Sequence, residues 1–332
     1  MAKKVKMADI AQRLGVSTVT VSKALAGKDG VSEAVREKIV AMAAEMGYQI
    51  KAPAEEERTG EMVGVLISER FLRPNESFYW TMYERVLDKL TARGMFGMIE
   101  RVSLAEEAEK AVPRLVQGGR VQALIVIGSF SLDYLQTVRQ LGLPVVQMDN
   151  YHPQSGLDTV ISDGYYGMYI MTDYLLQRGH RDIAYLGRIG ATSSITDRYF
   201  GYCRALQENG IPVREDWVLS DRDDDGNWQF SIPAELPTAF VCNCDAVAYH
   251  LIRLLGERGV RVPEDVSVVC FDDYLFSELA QPKVTCYGVD VDGMAQAGVD
   301  QLCRRWRDPE AEVLFQVVAG HLVEKESVRQ IP

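Results

Sequence analysis

Along residues 7–25, MADIAQRLGVSTVTVSKAL, apolar positions recur at helical spacing in two short runs. Ile10, Ala11 and Leu14 form the first run, and Val21, Ala24 and Leu25 form the second at i, i+3, i+4. Gly15 separates them, because glycine takes the left-handed backbone angle a tight turn needs. Ser17 is placed to cap the second helix with its hydroxyl. Thr18, Val19, Thr20, Ser22 and Lys23 are left at the start and on the outer side of that helix. Such a pair is either an ordinary helical hairpin or a helix-turn-helix whose second helix enters a DNA major groove. A third helix follows, with Ser32, Glu33 and Glu37 marking its start, Val35, Ile39, Met42 and Met46 its apolar stripe, and Gly47 its end. Together the three helices predict a small head over residues 5–50. Residues 51–61, within QIKAPAEEERTGE, carry no apolar period and predict a linker.

From residue 62 the pattern changes. Apolar runs without alternation appear at 62–68, 96–102, 123–128 and 144–149, separated by amphipathic segments at 78–93, 104–117 and 131–141. Unbroken apolar strands fit a parallel sheet covered on both faces, and strands alternating with helices predict βαβ units. The pattern restarts at 159–163 and continues through strands at 182–187, 239–242 and 266–272, with helices at 164–178, 195–209 and 245–258. Two successive βα series predict a two-lobed α/β body. The tail supplies a helix near 291–306, a strand near 313–319 and the segment LVEKESV, too little for a third lobe. The expected lobes are 62–158 with 287–318, and 159–286 with 319–332.

The 332 residues suffice for two or three domains. The net charge of −11 is uneven: residues 1–51 hold nine Lys/Arg and five Asp/Glu, and the remainder holds 27 and 42. A basic head on an acidic body suggests that the head alone approaches phosphates. No run of about 18 apolar residues predicts a membrane span, and the N-terminus lacks the apolar core of a signal peptide. The expected location is cytoplasmic, with no membrane partner. The six scattered cysteines read as buried thiols, and Cys242 and Cys244, two apart, lack the CxxC spacing of metal or redox sites. No metal or cofactor is expected.

Open parallel sheets bind ligands at the carboxyl ends of their strands. Ser68, Gly128, Asp149, Asn150, Gly187, Asn243 and Asp272 fall there. GRIG at 187–190 is not GxGxxG, and neither a Walker A motif, GxSxG nor HExxH occurs. Asp272 and Asp273 are adjacent and so point in different directions, which argues against a proton-sharing pair. An enzyme is not expected. Aromatic residues fall near strand ends or cleft loops: Phe78, Tyr79, Trp80, Tyr151, Trp228, Tyr274 and Phe276. Aromatic faces beside placed Asp, Asn and Arg groups suit a sugar. Trp80 fits core and cleft equally; Trp228, in the polar run DRDDDGNWQF, has no packing need and reads as a binding residue. His180, between a helix and a strand, reads as structural, capping that helix end.

Head, linker and body together resemble the LacI/GalR family of bacterial transcriptional regulators. The resemblance rests on DIAQRLGVSTVTVSKAL and VSEAVREKIVAMAAEMGY in the head. In the body it rests on DGYYGMYIMTDYLLQRGHRDIAYLG, DRYFGYCRAL, PTAFVCNCDAVA and RGVRVPEDVSVVCFDD. It implies a three-helix helix-turn-helix head and a two-lobed, periplasmic-binding-protein-like α/β body. It also implies that Thr18, Val19 and Lys23 read base edges while Ser17 and Ser22 lie close to the DNA backbone. Arg198 matches the arginine that holds the effector, with Tyr79, Asp149, Ser194 and Asp272 as further cleft contacts.

The sequence departs from that family in four places. Lys6 replaces the usual Thr cap of the first helix. The linker lacks the wedge Leu and carries three consecutive glutamates. DRDDDGNWQFSIPAELPT is too short and proline-rich for the helix found there in relatives. Cys244 stands where Asn or Ser is common. The expectation is a homodimeric, sequence-specific DNA-binding regulator whose operator affinity is set by a small-molecule effector, a sugar or oligosaccharide. The alternative is a cytoplasmic sugar-binding protein without a DNA role.

Overall fold

In a computed structural model of the chain, residues 5–25, 30–46, 48, 60–72, 78–223, 228–229 and 231–332 are described. The chain divides into two units, residues 1–58 and 59–332. The expected linker at 51–61 falls largely outside the described residues, as does Gly47.

The first unit holds helices α1 (Met7–Leu14), α2 (Thr18–Leu25) and α3 (Glu33–Glu45). Gly15 ends α1 at φ 65°, the left-handed cap expected of it. Lys6 costs α1 its side-chain cap, but Asp9 supplies a substitute: its carboxylate accepts the Lys6 backbone N–H at 2.8 Å. At α2 the Ser17 hydroxyl accepts the Thr20 N–H at 3.0 Å, satisfying one of the donors a helix start leaves open. Ser32 precedes α3 but makes no side-chain cap bond there, contrary to the sequence reading. Ile10, Ala11, Val21, Ala24, Ile39 and Ala43 bury together, with Val35, Met42 and Met46 packed around them. Arg36 of α3 donates to the Ala24 carbonyl at 3.1 Å, tying α3 to the end of α2.

The second unit contains two six-stranded sheets. The first runs β11–β5–β4–β3–β1–β2, from β1 (Met62–Ser68), β2 (Phe96–Val102), β3 (Ala123–Ile127), β4 (Val145–Met148), β5 (Asp158–Ser162) and β11 (Phe315–Val318). The second runs β12–β10–β9–β8–β6–β7. Its strands are β6 (Ile183–Leu186), β7 (Val218–Leu219), β8 (Ala239–Cys242), β9 (Ser267–Asp272), β10 (Thr285–Gly288) and β12 (His321–Val323). Every pairing is parallel except β12 with β10. The two orders are topological copies, so β4 and β9 hold the same slot, as do β3 and β8.

Helices α4 (Phe78–Thr91) and α12 (Val291–Arg307) cover one face of the first sheet. Its other face carries α6 (Arg114–Gln117) and α7 (Leu132–Arg139), and α5 (Leu104–Ala108) is tied to the start of α7 through Glu107, which accepts the Ser131 N–H at 2.7 Å. The second sheet carries α8 (Gly164–Gln177) and α9 (Ser193–Glu208) on one face. On the other lies α10 (Asp245–Glu257), with α11 (Leu275–Leu279) beside it. The single helix expected over 104–117 is two, interrupted by Lys110 at φ 54° and by Pro113.

Lobe membership differs from the sequence reading at two strands. β5 was expected to open the second lobe, yet it pairs with β4 and β11 in the first sheet. The same apolar run satisfies either sheet, and the choice is made by hydrogen bonding. Asp158, at the start of β5, is fully buried and accepts from Arg305 at 2.7 and 3.0 Å and from the Leu314 N–H at 2.8 Å. That ion pair joins β5 to α12 and to the entry of β11. The chain passes between the sheets three times, after β5, after β10 and after β11. β10, at 285–288, belongs wholly to the second sheet, so the expected boundary at 286 falls inside a strand.

His180 is structural, but it does not cap a helix with its ring. The ring is fully buried, with Nδ1 3.0 Å from the Thr238 hydroxyl and Nε2 3.1 Å from the Arg329 carbonyl, tying the strand entry to the C-terminal tail. No helix in the described residues is long and apolar enough to cross a membrane.

Candidate functional site

The second unit contains a cavity of about 530 Å³ at the carboxyl ends of both sheets. All six residues expected at the effector site line it: Tyr79, Asp149, Ser194, Arg198, Trp228 and Asp272. They come from five separate helices, strand ends or loops, and the parallel topology explains the convergence, because every βα unit delivers its loop to the same edge.

Arg198 is the centre. It stands on the buried face of α9 with 5% of its surface exposed. Its Nη1 donates to the Asn243 carbonyl at 2.7 Å and its Nη2 to Asp272 at 3.3 Å. The guanidinium carbon lies 3.9 Å from the Phe271 ring centroid. The Nε atom is buried without a hydrogen-bond partner. A buried donor left open carries a free-energy cost that a ligand acceptor relieves.

Asp149 faces Arg198 from the first lobe. Its carboxylate accepts the Tyr79 hydroxyl at 2.9 Å. Burial pushes its pKa up to about 7, against the opposing pull of Arg198 and of the Tyr79 hydrogen bond. Burial also raises Asp272, again against Arg198. Asp149 follows β4 and Asp272 ends β9, so the two carboxylates occupy equivalent slots in the two lobes. Both have left-handed backbone, φ 61° and 93°. For a residue with a Cβ this conformation costs about 1–3 kcal/mol and is held only where the surroundings enforce it.

A third carboxylate, Asp245, opens α10 and lines the cavity. It accepts three backbone N–H groups, from Tyr274, Phe276 and Ser277 at 3.0, 3.2 and 3.3 Å. These bonds fix the loop after β9. Asp273 points away from the cavity to Lys325 at 2.6 Å and Ser277 at 2.7 Å, as adjacent residues with diverging side chains should. Ser194 exchanges a hydroxyl hydrogen bond with Thr192 at 2.9 Å.

Trp228 is held outside the packed core. A single antiparallel bridge pairs it with Arg222, whose guanidinium lies 4.9 Å from the indole. Arg222 is clamped by Asp221, fully buried, which also accepts from Asn243 Nδ2 at 2.7 Å and from the Arg188 N–H at 2.8 Å. No helix lies among the described residues between Leu219 and Ala239. Of the other aromatics, Phe78 and Phe276 line the cavity, whereas Tyr151 donates to Asp197 at 3.2 Å and Tyr274 packs edge-on against Phe78. Trp80 is neither core nor cleft: it is 44% exposed on α4 with its edge toward Tyr83.

Sequence reasoning missed Arg222, Tyr249, His250 and Arg253. A signal existed on α10: Val247, Ala248, Leu251, Ile252 and Leu255 form its buried face. Asp245, Ala246, Tyr249, His250 and Arg253 fall on the other side at i, i+1, i+4, i+5 and i+8. Among the described residues no group of three His, Cys, Asp or Glu side chains is arranged to hold a metal ion. Cys242 is buried in the second core, and burial keeps the Cys244 thiol well above its ordinary pKa.

In the first unit, α2 turns Val21 and Ala24 inward. Ser17, Thr18, Val19, Ser22 and Lys23 are all exposed, Val19 at 63%.

Residues 6–50 match a family model described as bacterial regulatory proteins, lacI family, and residues 172–328 match a periplasmic binding protein-like domain. The HTH-type transcriptional repressor PurR of Vibrio parahaemolyticus is 26% identical over 97% of this chain and 98% of its own. The PurR of Pectobacterium carotovorum is 27% identical over 98% and 97%. Among solved structures, the transcriptional regulator CelR in complex with cellobiose aligns with a TM-score of 0.69 at 24% identity, over 97% of this chain and 99% of that one. The lac repressor dimer bound to operator and an anti-inducer aligns with a TM-score of 0.67 at 22% identity, over 98% and 100%. A LacI family regulator from Enterococcus faecium with bound ribose aligns at 0.68 and 22%, over 82% and 100%. At these identities the structural matches carry the fold.

Proposed function

The chain belongs to the lacI family of bacterial regulatory proteins, and from that premise we propose how its parts divide the work. It is a DNA-binding regulator of transcription with an effector-binding body. α2 enters the major groove of operator DNA, where Thr18, Val19 and Lys23 meet base edges and Ser17 and Ser22 the backbone. The chemistry supports these roles: an ammonium suits guanine acceptors, a hydroxyl accepts or donates, and an apolar side chain suits the thymine methyl. The protein acts as a homodimer on a palindromic site, in the cytoplasm where the DNA is. The chain divides into the head at 5–50, a linker at 51–61 and the two lobes of the body.

The effector is a sugar, held by Tyr79, Asp149, Ser194, Arg198, Trp228 and Asp272. The observation that carries this reading is Arg198, buried between Asp272 and the Asn243 carbonyl with its Nε open, facing the Asp149 carboxylate. Carboxylates accept from hydroxyls and a guanidinium donates to them, so a polyol satisfies both at once. A cellobiose complex and a ribose complex among the structural matches agree with that class. The site binds without turnover. Asp245 is committed to three backbone bonds, Asp272 to Arg198 and Asp149 to the Tyr79 hydroxyl, and the thiol of Cys244 is kept protonated. Effector binding favours one inter-lobe geometry, and linkage passes that preference to the heads in both directions.

A gel shift with genomic fragments flanking sugar-utilisation genes tests the whole. One fragment binds better than random DNA at physiological salt, and a sugar that raises the melting temperature also changes that affinity. Equal binding to all fragments refutes the DNA role. Binding of a sugar with no change in DNA affinity leaves a sugar receptor alone.

A further inference from the structure

The cavity is longer than its polar floor requires. Asp245, buried at the start of α10, and Arg253, exposed eight residues later, both line it. At a rise of 1.5 Å per residue these positions stand roughly 12 Å apart along the helix. One sugar ring seated between Asp149, Arg198 and Asp272 cannot reach the far end. The lining along this helix is aromatic, from Phe276, whose N–H donates to Asp245 at 3.2 Å, to His250, which stands between Asp245 and Arg253. The Trp228 and His250 ring centroids are 6.0 Å apart, and those of His250 and Phe276 are 6.5 Å apart. Each step is about the length of one pyranose ring. The successive rings are tilted by 40° and 36°, so the strip twists along its length. All three lie on the second lobe, and all three line the cavity.

Trp228 decides between packing and binding. It belongs to neither core of the second lobe and is 37% exposed. Yet it is held there by the bridge to Arg222, which Asp221 clamps from within the core. A preorganised, displayed indole is a stacking surface, and the C–H face of a sugar is apolar enough to stack on it.

Building on the reading of the cavity as a sugar site, we propose that the effector is an oligosaccharide of at least two rings. Its first ring sits at the Asp149–Arg198–Asp272 floor. Its later rings stack along Trp228, His250 and Phe276, which set the chain length.

Isothermal titration of the full chain with homologous series tests this. The probes are glucose, cellobiose and cellotriose, xylose and its β-1,4 dimer and trimer, maltose and maltotriose, and mannose with β-1,4-mannobiose and mannotriose. In at least one series the dimer binds tenfold or more tightly than the monomer. In Trp228→Ala and in His250→Ala, each checked for an unchanged circular dichroism spectrum, that ratio falls to threefold or less. His250 lies on a helix face already open to the cavity, so a folding defect in one variant leaves the other to decide. A monosaccharide that binds as tightly as its dimer in every series overturns the inference while leaving the sugar reading intact. So does a tenfold ratio that persists in both variants. Absence of binding by every sugar of the panel overturns the sugar reading and the inference together.

Discussion

With Asp149 as an effector contact, as proposed above, effector affinity should depend on pH near neutrality. Its carboxyl is buried beside Arg198 and Asp272 and titrates at about 7 in the ligand-free protein, chiefly because burial disfavours the charge. A sugar hydroxyl that donates to Asp149 binds the ionised form and not the protonated one. Apparent affinity then scales with the ionised fraction, falling roughly tenfold from pH 8 to pH 6 and roughly ninety-fold from pH 8 to pH 5. In ligand-free protein the sign is opposite. The native state holds the Asp149 proton over the interval from the unfolded carboxylate range up to 7, so stability falls as pH rises through that window. Titration calorimetry from pH 5 to pH 8.5, in two buffers of different ionisation enthalpy, measures both the slope and the proton released. Binding at pH 6 should release nearly one proton. The neighbours are separable. Asp149→Asn keeps the left-handed backbone, which Asn tolerates, and should flatten the profile. Tyr79→Phe removes a bond that holds the pKa down and should move the midpoint above 7. Affinity that is constant from pH 5.5 to pH 8, or that rises on acidification, refutes the reasoning.

Further outcomes follow from the same geometry. Arg198→Met should abolish the thermal shift produced by any bound sugar, and it should lower the ligand-free stability by about 3–5 kcal/mol, because Asp272 is left buried without its partner; a thermal melt reads both. Ser17→Ala removes the α2 cap, and hydrogen exchange at the Thr20 amide should accelerate by a factor corresponding to about 0.5–2 kcal/mol. Lys23→Ala should reduce the preference for operator over scrambled DNA by about 1–3 kcal/mol; an equal loss on both sequences makes Lys23 a phosphate contact instead. Gly201→Ala places a Cβ against the Tyr165 carbonyl where α9 crosses α8, so chemical denaturation should show a loss of about 1–3 kcal/mol from forced separation of the two helices.

The head was legible almost residue by residue. Gly15 and Ser17 act through their own backbone and their nearest neighbours, so local sequence suffices for them. The Lys6 departure shows the limit of matching a single position: the cap was supplied three residues on, by Asp9. In the body the strands and most helices were legible from hydrophobic period, because a strand covered on both faces has to be apolar throughout. The helix break at Pro113 is legible in the sequence, because proline has no backbone N–H to continue a helix. Sheet membership was not readable, since β5 and its neighbours have the same local pattern, and only the buried Asp158–Arg305 pair and the β4–β5–β11 ladder assign the strand.

By itself, then, the sequence determined the helix-turn-helix head, the α/β class of the body and the chemical types gathered at the strand ends. These depend on periodicity, local capping and the direction parallel strands impose. Tertiary structure alone decided the electrostatics and reach of the cavity. Arg198 and Asp272 are 74 positions apart, and Tyr79 and Asp149 are 70 apart. The pKa of about 7 at Asp149 comes from desolvation, which no run of neighbouring residues encodes. The aromatic row from Trp228 through His250 to Phe276 likewise exists only once three separate elements meet at one edge of the second sheet.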